Sequence, residues 1–360
     1  MCRWAAQRLR LYYAPSLPFS FQPPTSPMPL PDLDPLFERA ADLRRQGPAG
    51  RYAPSPTGDL HTGNLRTALV AWLQARQAGA RFVMRIEDLD QPRVREGSAE
   101  KILDDLRWLG LDWDEGPELG GPAGPYNQSE RVGLYQAALL RLQARGLVYP
   151  CYCSRKDIAE AASAPHGPGG IIYPGSCRHL SASEREARQQ ERPDRPPAWR
   201  FVAGEREVVF EDLICGVQRQ HLAEDVGDFV LRRADDIFAY QLAVVLDDAL
   251  MGISDVVRGD DLLDSTARQI ALFEAFDQPP PRFWHVPLMR DEAGERLSKR
   301  DGSDALDVLR ERGLDAPAII GLLAHSLGWV PEGARLSAPE LLDELSPSAL
   351  SALRDHPERH

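Results

Sequence analysis

Lysine is almost missing from this chain: Lys101, Lys156 and Lys299 stand against 39 arginines. A position that stays lysine under such a bias is informative in itself. Long apolar runs are missing too. None approaches the roughly 20 residues that span a bilayer, so no membrane segment is expected. Cysteine is scarce, five in 360 residues, and three of the five fall within 27 residues, at Cys151, Cys153 and Cys177. That clustering does not fit a disulfide framework in a chain of this size; it fits a reduced, cytoplasmic protein with one metal site. An excess of positive charge is lacking as well, the net charge being −12. Any nucleic-acid contact must therefore come from a local basic face on an acidic body.

What is present is ordinary for a globular protein: 43 % hydrophobic and 27 % charged residues, with length for two domains or one elaborated domain. Residues 1–47 read as a disordered, proline-rich extension without the apolar stretch of a secretion signal, holding at most a short helix at Leu36–Arg45. From residue 48 the patterns predict a helix at Leu65–Gln77, a strand beginning at Arg81 and a helix at Ser98–Leu109. This β-loop-α-β order implies a parallel α/β sheet, whose first half is 48–114. A helix at Leu134–Arg145, the clustered cysteines, and strands near Trp199–Val202 and Val208–Val217 mark 115–238 as an insertion. Sheet signals resume over 239–295, with a strand at Gly252–Val257 and a helix at Ser265–Phe276. The end, 296–360, reads as a polar loop followed by helices at Ala316–Leu327 and Ala338–Leu353.

Two loops carry candidate chemistry. In the first, running from Arg51 to Asn64, prolines stiffen the turn, Gly58 and Gly63 admit close backbone approach, and a helix starts directly afterwards. Free N–H groups and the positive end of that helix suit a phosphate or adenylate, and His61 there would stabilise charge on a pentavalent phosphorus. In the second, Ser298 and Lys299 sit in a polar loop, where a compact cation can follow ATP phosphates. Alone, the first is a common Pro/Gly turn and the second a solvated charged turn.

Together they resemble the HIGH and KMSKS signatures of class I aminoacyl-tRNA synthetases, in that order. Leu60-His61-Thr62-Gly63-Asn64 matches the first, with Asn64 in the last position, and Arg296-Leu297-Ser298-Lys299-Arg300 matches the second. The stretches Arg51–His61, Arg85–Asp90, Phe238–Asp248 and Val256–Leu262 look like the glutamyl and glutaminyl branch. The resemblance implies a Rossmann-like catalytic domain with a zinc-containing insertion and a helical C-terminal end. It implies His61 and Lys299 as catalytic groups and ATP contacts from Pro54, Gly58, His61, Gly63, Asn64, Ser298 and Lys299. Arg51, Ser55, Glu87, Tyr240 and Arg258 would line a glutamate pocket, in which a carboxylate wants a bidentate guanidinium.

Cys151, Cys153 and Cys177 supply three thiolates for a tetrahedral structural zinc. By metal preference the fourth ligand is a histidine, His166 or His179; the resemblance points instead to Tyr173. Three cysteines and a fourth protein ligand leave no open position, which argues against a zinc hydrolase.

After Lys299, 61 residues remain, too few for the anticodon-binding region that relatives carry there. That combination resembles the glutamyl-queuosine tRNA(Asp) synthetase family over residues 50 to about 330. It implies an enzyme that adenylates L-glutamate with ATP and Mg2+, without tRNA; separately, a monomer is expected. The glutamate is then transferred to queuosine at the wobble position of tRNA(Asp). A truncated glutamyl-tRNA synthetase charging 3′ ends, or a non-catalytic tRNA-binding paralogue, are the alternatives.

Overall fold

The structure, a computed structural model, describes residues 30–161, 172–289 and 305–355. Ser298, Lys299 and His166 lie outside the described residues. The first strands, β1 (Ala49–Tyr52) and β2 (Arg81–Met84), pair in parallel around the helix Thr62–Gln77. The chain then lays down β3 (Val148–Cys151), β4 (Ala198–Phe201), β5 (Glu207–Asp212), β6 (Gly216–His221), β7 (Phe229–Arg232), β8 (Asp255–Gly259) and β9 (Arg282–Val286). β8 and β9 are parallel and in register from Asp255 opposite Arg282 to Gly259 opposite Val286. β8 lies beside β1, where the Ser254 N–H donates to Ala49 O at 2.9 Å. This is a mixed α/β fold with the parallel strands β1, β2, β8 and β9 at its centre. β3, β4 and β7 form a separate antiparallel sheet.

Alternation along the parallel strands sorts side chains into two cores, one on each face. Val83, Val256 and Phe283 join the helices Val132–Ala144, Tyr240–Leu250 and Thr266–Ala275. Phe82, Met84, Val257 and Val286 join the helices Thr62–Gln77 and Ser98–Trp108 and the C-terminal helices. The helix Thr62–Gln77 is buried almost all round, because the sheet covers one side and the C-terminal helices another. A third, small cluster comprises Tyr149, Cys151, Tyr152, Tyr173 and Cys177.

The short helix read near the N-terminus spans Asp34–Gln46 and buries Phe37, Ala40 and Leu43, so this part of the extension belongs to the folded body. The strand expected over Val208–Val217 is a hairpin, β5 turning into β6 before Gly216, whose φ of 74° suits glycine. β5 also joins β9 in parallel, Asp212 lying opposite Phe283, so the stretch read as an insertion adds a hairpin to the sheet of β8 and β9. The last predicted helix is broken into Ala338–Glu344 and Ala349–Ala352, because Pro347 removes a donor and pushes Ser346 out of helical geometry. The helix Ala182–Glu191 was legible only in its capping box, Ser181 with Glu184. No helix among the described residues is long and apolar enough to cross a membrane.

The segment after residue 304 is stitched onto the first loop. Leu306 N–H donates to Leu60 O at 3.1 Å, and His61 bridges Ala305. Beside it Lys101 Nζ meets three carboxylates, Asp307 at 2.8 Å, Asp105 at 3.2 Å and Asp59 at 3.5 Å.

Candidate active site

A cleft of about 450 Å3 opens where β1 and β8 end against the first loop. Ten of the residues singled out in the sequence line it: Arg51, Pro54, Ser55, Gly58, His61, Gly63, Asn64, Glu87, Tyr240 and Arg258. They come from four separated stretches. Arg51 sits on β1 and Arg258 on β8, Glu87 follows β2, and Tyr240 opens the helix Tyr240–Leu250. His61 is the N-cap of the helix Thr62–Gln77 in extended geometry, φ −99° and ψ 166°, so the positive end of that helix faces the cleft. Gly63 permits this placement, since a Cβ there would lie 3.2 Å from the His61 ring.

Beneath the cleft lies a buried charge network that the sequence reading passed over. Arg85, fully buried, donates to Asp248 Oδ1 at 2.7 Å and to Glu87 Oε1 at 3.0 Å, and its Nε lies 3.8 Å from Asp247 Oδ2. Asp247 also accepts from Arg131 Nε at 2.6 Å, Gln128 at 2.8 Å and the Tyr135 hydroxyl at 2.8 Å. Arg51 Nε stands 3.5 Å from Asp248, and its NH1 donates to Val257 O at 3.0 Å. Burial raises the Glu87 pKa, against the opposing pull of Arg85. Burial likewise raises that of Tyr240, keeping the phenol protonated. The one sequence signal for this network was the i, i+2 spacing of Arg85 and Glu87, which places both on one side of an extended chain.

Arg258 is fixed differently from Arg51. Its Nε donates to His285 Nε2 at 2.9 Å, NH1 to Gln269 Oε1 at 2.7 Å, and NH2 to Thr266 Oγ1 at 3.0 Å and Leu262 O at 3.3 Å. His285 Nδ1 in turn lies 2.6 Å from Asp212 Oδ2, and both residues are fully buried.

The cysteines gather at the end of β3, away from these strands. Sγ of Cys151, Cys153 and Cys177 lie within 4.8 Å of one another. Cys153 and Cys177 are 3.5 Å apart, and the Tyr173 hydroxyl lies 3.4 Å from Cys151 Sγ and 3.6 Å from Cys153 Sγ. A tetrahedral zinc with bonds of about 2.3 Å to sulfur sets sulfurs roughly 3.8 Å apart and a phenolate oxygen roughly 3.5 Å from each, so the four side chains fit the ion. His179 is exposed and does not join the group among the described residues. The Cys151 thiol, donating to Cys177, draws the Cys177 pKa down. Arg200 lies over the Tyr173 ring at 3.9 Å, while burial and the neighbouring thiols push the Tyr173 pKa up.

Residues 49–340 match the family model described as tRNA synthetases class I (E and Q), catalytic domain. A glutamyl-Q tRNA(Asp) synthetase of Symbiobacterium thermophilum is 52 % identical over 295 residues, 81 % of this chain and 90 % of that protein. The protein of the same name from Nitratidesulfovibrio vulgaris is 47 % identical over 302 residues, covering 84 % and 93 %. Among solved structures, a glutamate-tRNA synthetase from Elizabethkingia anophelis superposes with a TM-score of 0.73 at 30 % identity. The match covers 85 % of this chain but 66 % of that longer one. The chain belongs to the class I glutamyl and glutaminyl tRNA synthetase catalytic-domain family and, within it, to the glutamyl-Q tRNA(Asp) synthetases.

Proposed function

We propose that the chain activates L-glutamate with ATP and transfers it to queuosine at the wobble position of tRNA(Asp). The observation that carries this reading is the cleft, in which two arginines, a carboxylate and a phenol converge beside the N-terminus of the helix that His61 caps. Arg51 uses one N–H on Val257 O, which leaves donors for a substrate carboxylate, with Ser55 nearby. Glu87 suits the substrate ammonium, and Tyr240 and Arg258 form the opposite wall. Pro54, Gly58, His61, Gly63 and Asn64 border the nucleotide side, to which the sequence adds Ser298 and Lys299.

The substrate carboxylate oxygen attacks the α-phosphorus of ATP and pyrophosphate leaves. His61 and the helix terminus stabilise the added charge, Lys299 acts with them, and magnesium accompanies the nucleotide. A queuosine hydroxyl then attacks the adenylate carbonyl, an ester bond forms and AMP departs. Positioning supplies much of the rate, so no side chain is assigned as an obligate base. Residues 48–114 and 239–295 form the catalytic halves in this reading. Cys151, Cys153, Cys177 and Tyr173 would hold a structural zinc that would brace the intervening stretch and leave no position open for water.

The test follows labelled glutamate into tRNA from cells that make queuosine and from cells that do not. Label confined to the queuosine-containing pool supports the reading. Equal label in both pools would indicate 3′-end charging, and no adenylate at all would indicate a non-catalytic paralogue.

A further inference from the structure

Among the described residues Asp212 and His285 are linked by hydrogen bonds to the residues assigned to the cleft through Arg258 alone, and both are fully buried. An imidazole between a carboxylate and a guanidinium has one consistent neutral tautomer. Arg258 Nε–H is a donor, so His285 Nε2 must accept, and Nδ1 must carry the proton that goes to Asp212. Asp212 is well suited to receive it. Its Oδ1 accepts from the backbone N–H groups of Ile214 at 3.0 Å and Cys215 at 2.6 Å. Burial pushes its pKa up, but His285 and these amides outweigh burial and hold it low. Burial, opposed by Asp212 and assisted by the Arg258 charge, keeps the His285 pKa low and the ring neutral.

The consequence falls on Arg258. A guanidinium has five N–H groups. Four are committed to His285, Gln269, Thr266 and Leu262, which leaves one N–H, on NH1. Arg258 thus presents one N–H and a fixed charge, where Arg51 offers a fork.

We infer that Asp212 and His285 are positioning residues for glutamate recognition: Asp212 locks the His285 tautomer, and His285 Nε2 sets the face that Arg258 turns to the amino acid. This rests on the proposed glutamate activation. β5 lies between β6 and β9, and its last residue, Asp212, reaches His285 near the end of β9.

The test is glutamate-dependent ATP–pyrophosphate exchange, with KM for glutamate and for ATP measured separately. Asp212→Asn keeps the volume and the backbone acceptor, but its amide donates to Nδ1. The ring is then driven to the Nε2–H tautomer, which faces the Arg258 donor. The KM for glutamate should rise roughly ten- to hundredfold, the size of a lost charge-assisted hydrogen bond, with KM for ATP little changed. Should that variant fold poorly, His285 itself separates the ideas. His285→Asn keeps a donor for Asp212 and loses the acceptor for Arg258, so KM for glutamate should rise. His285→Gln places an amide oxygen where Nε2 was, and should stay within about threefold of the parent, as should the double variant with Asp212→Asn. Equal damage from His285→Asn and His285→Gln, or a parental KM in Asp212→Asn, overturns the inference alone. A parent chain with no glutamate-dependent exchange overturns the functional reading and the inference with it.

Discussion

Gly63→Ala should make the protein more stable and less active. Gly63 is the second residue of the helix Thr62–Gln77 and has ordinary helical geometry, so alanine is conformationally allowed. Replacing a helical glycine recovers about 0.5–1 kcal/mol of backbone entropy. For a chain of this size that is a rise of about 1 °C in Tm. The new methyl, however, would sit 3.2 Å from Cε1 and Nδ1 of His61. Comfortable carbon contacts lie near 3.5–4.0 Å, so the ring must retreat by roughly half an ångström. A displacement of about 1 Å at a reacting group can cost about a hundredfold, so a fall of roughly tenfold in kcat is expected, with KM for glutamate nearly unchanged. Thermal unfolding and ATP–pyrophosphate exchange on one preparation read the two effects. A raised Tm with parental kcat would refute the role assigned to the His61 ring; a lowered Tm would refute the helix argument.

Arg85→Met removes the cation shared by Glu87, Asp247 and Asp248 and should cost about 3–5 kcal/mol, read as a shift of the urea midpoint. A loss under about 1 kcal/mol would mean that the carboxylates find other partners. Because burial raises the Glu87 pKa, its charge is lost at a higher pH than for an ordinary glutamate. KM for glutamate should therefore climb as the pH is lowered from about 7 to 5, and Glu87→Gln should be high and flat over that range. A flat parental profile would remove Glu87 from ammonium binding. Cys153→Ser should take bound zinc from about one per chain to well below it, measured by elemental analysis, with faster amide exchange around Cys151 and Cys177. Full zinc occupancy in that variant would exclude Cys153 as a ligand.

The parts of the site that were legible in the sequence are those whose chemistry is local. The first loop has prolines, glycines, a histidine and a helix start within 14 residues, from Arg51 to Asn64, a local pattern that suits a phosphate once it is read together with the second loop. The thiol cluster was legible because two cysteines are one residue apart. What holds the site was not legible, since pairing across the fold leaves no periodic trace. Arg85 meets Asp248 across 163 residues, and Asp212 meets His285 across 73. Histidine was the chemically favoured fourth partner for the thiols, yet His179 is exposed and outside the cluster, His166 lies outside the described residues, and the Tyr173 oxygen stands beside Cys151 and Cys153. The fold departed from the reading where a turn interrupts a good pattern, at Gly216 and Pro347, and where packing across the chain decides, as in the helix Asp34–Gln46 and the hairpin that joins β9.

The clamp around Lys101 has a practical side. In a chain nearly devoid of primary amines, an acylating reagent finds few targets, and a digest separates them without ambiguity. Lys101 is held protonated, since its three carboxylates outweigh the effect of burial, and a protonated amine is a poor nucleophile. Two of those carboxylates come from the first loop and from the segment that follows residue 304. Slow acylation of Lys101 would report that both are seated, and fast acylation that they have parted. The scarcity of lysine thereby turns one side chain into a built-in reporter of whether the nucleotide loop and the C-terminal helices are docked together during turnover.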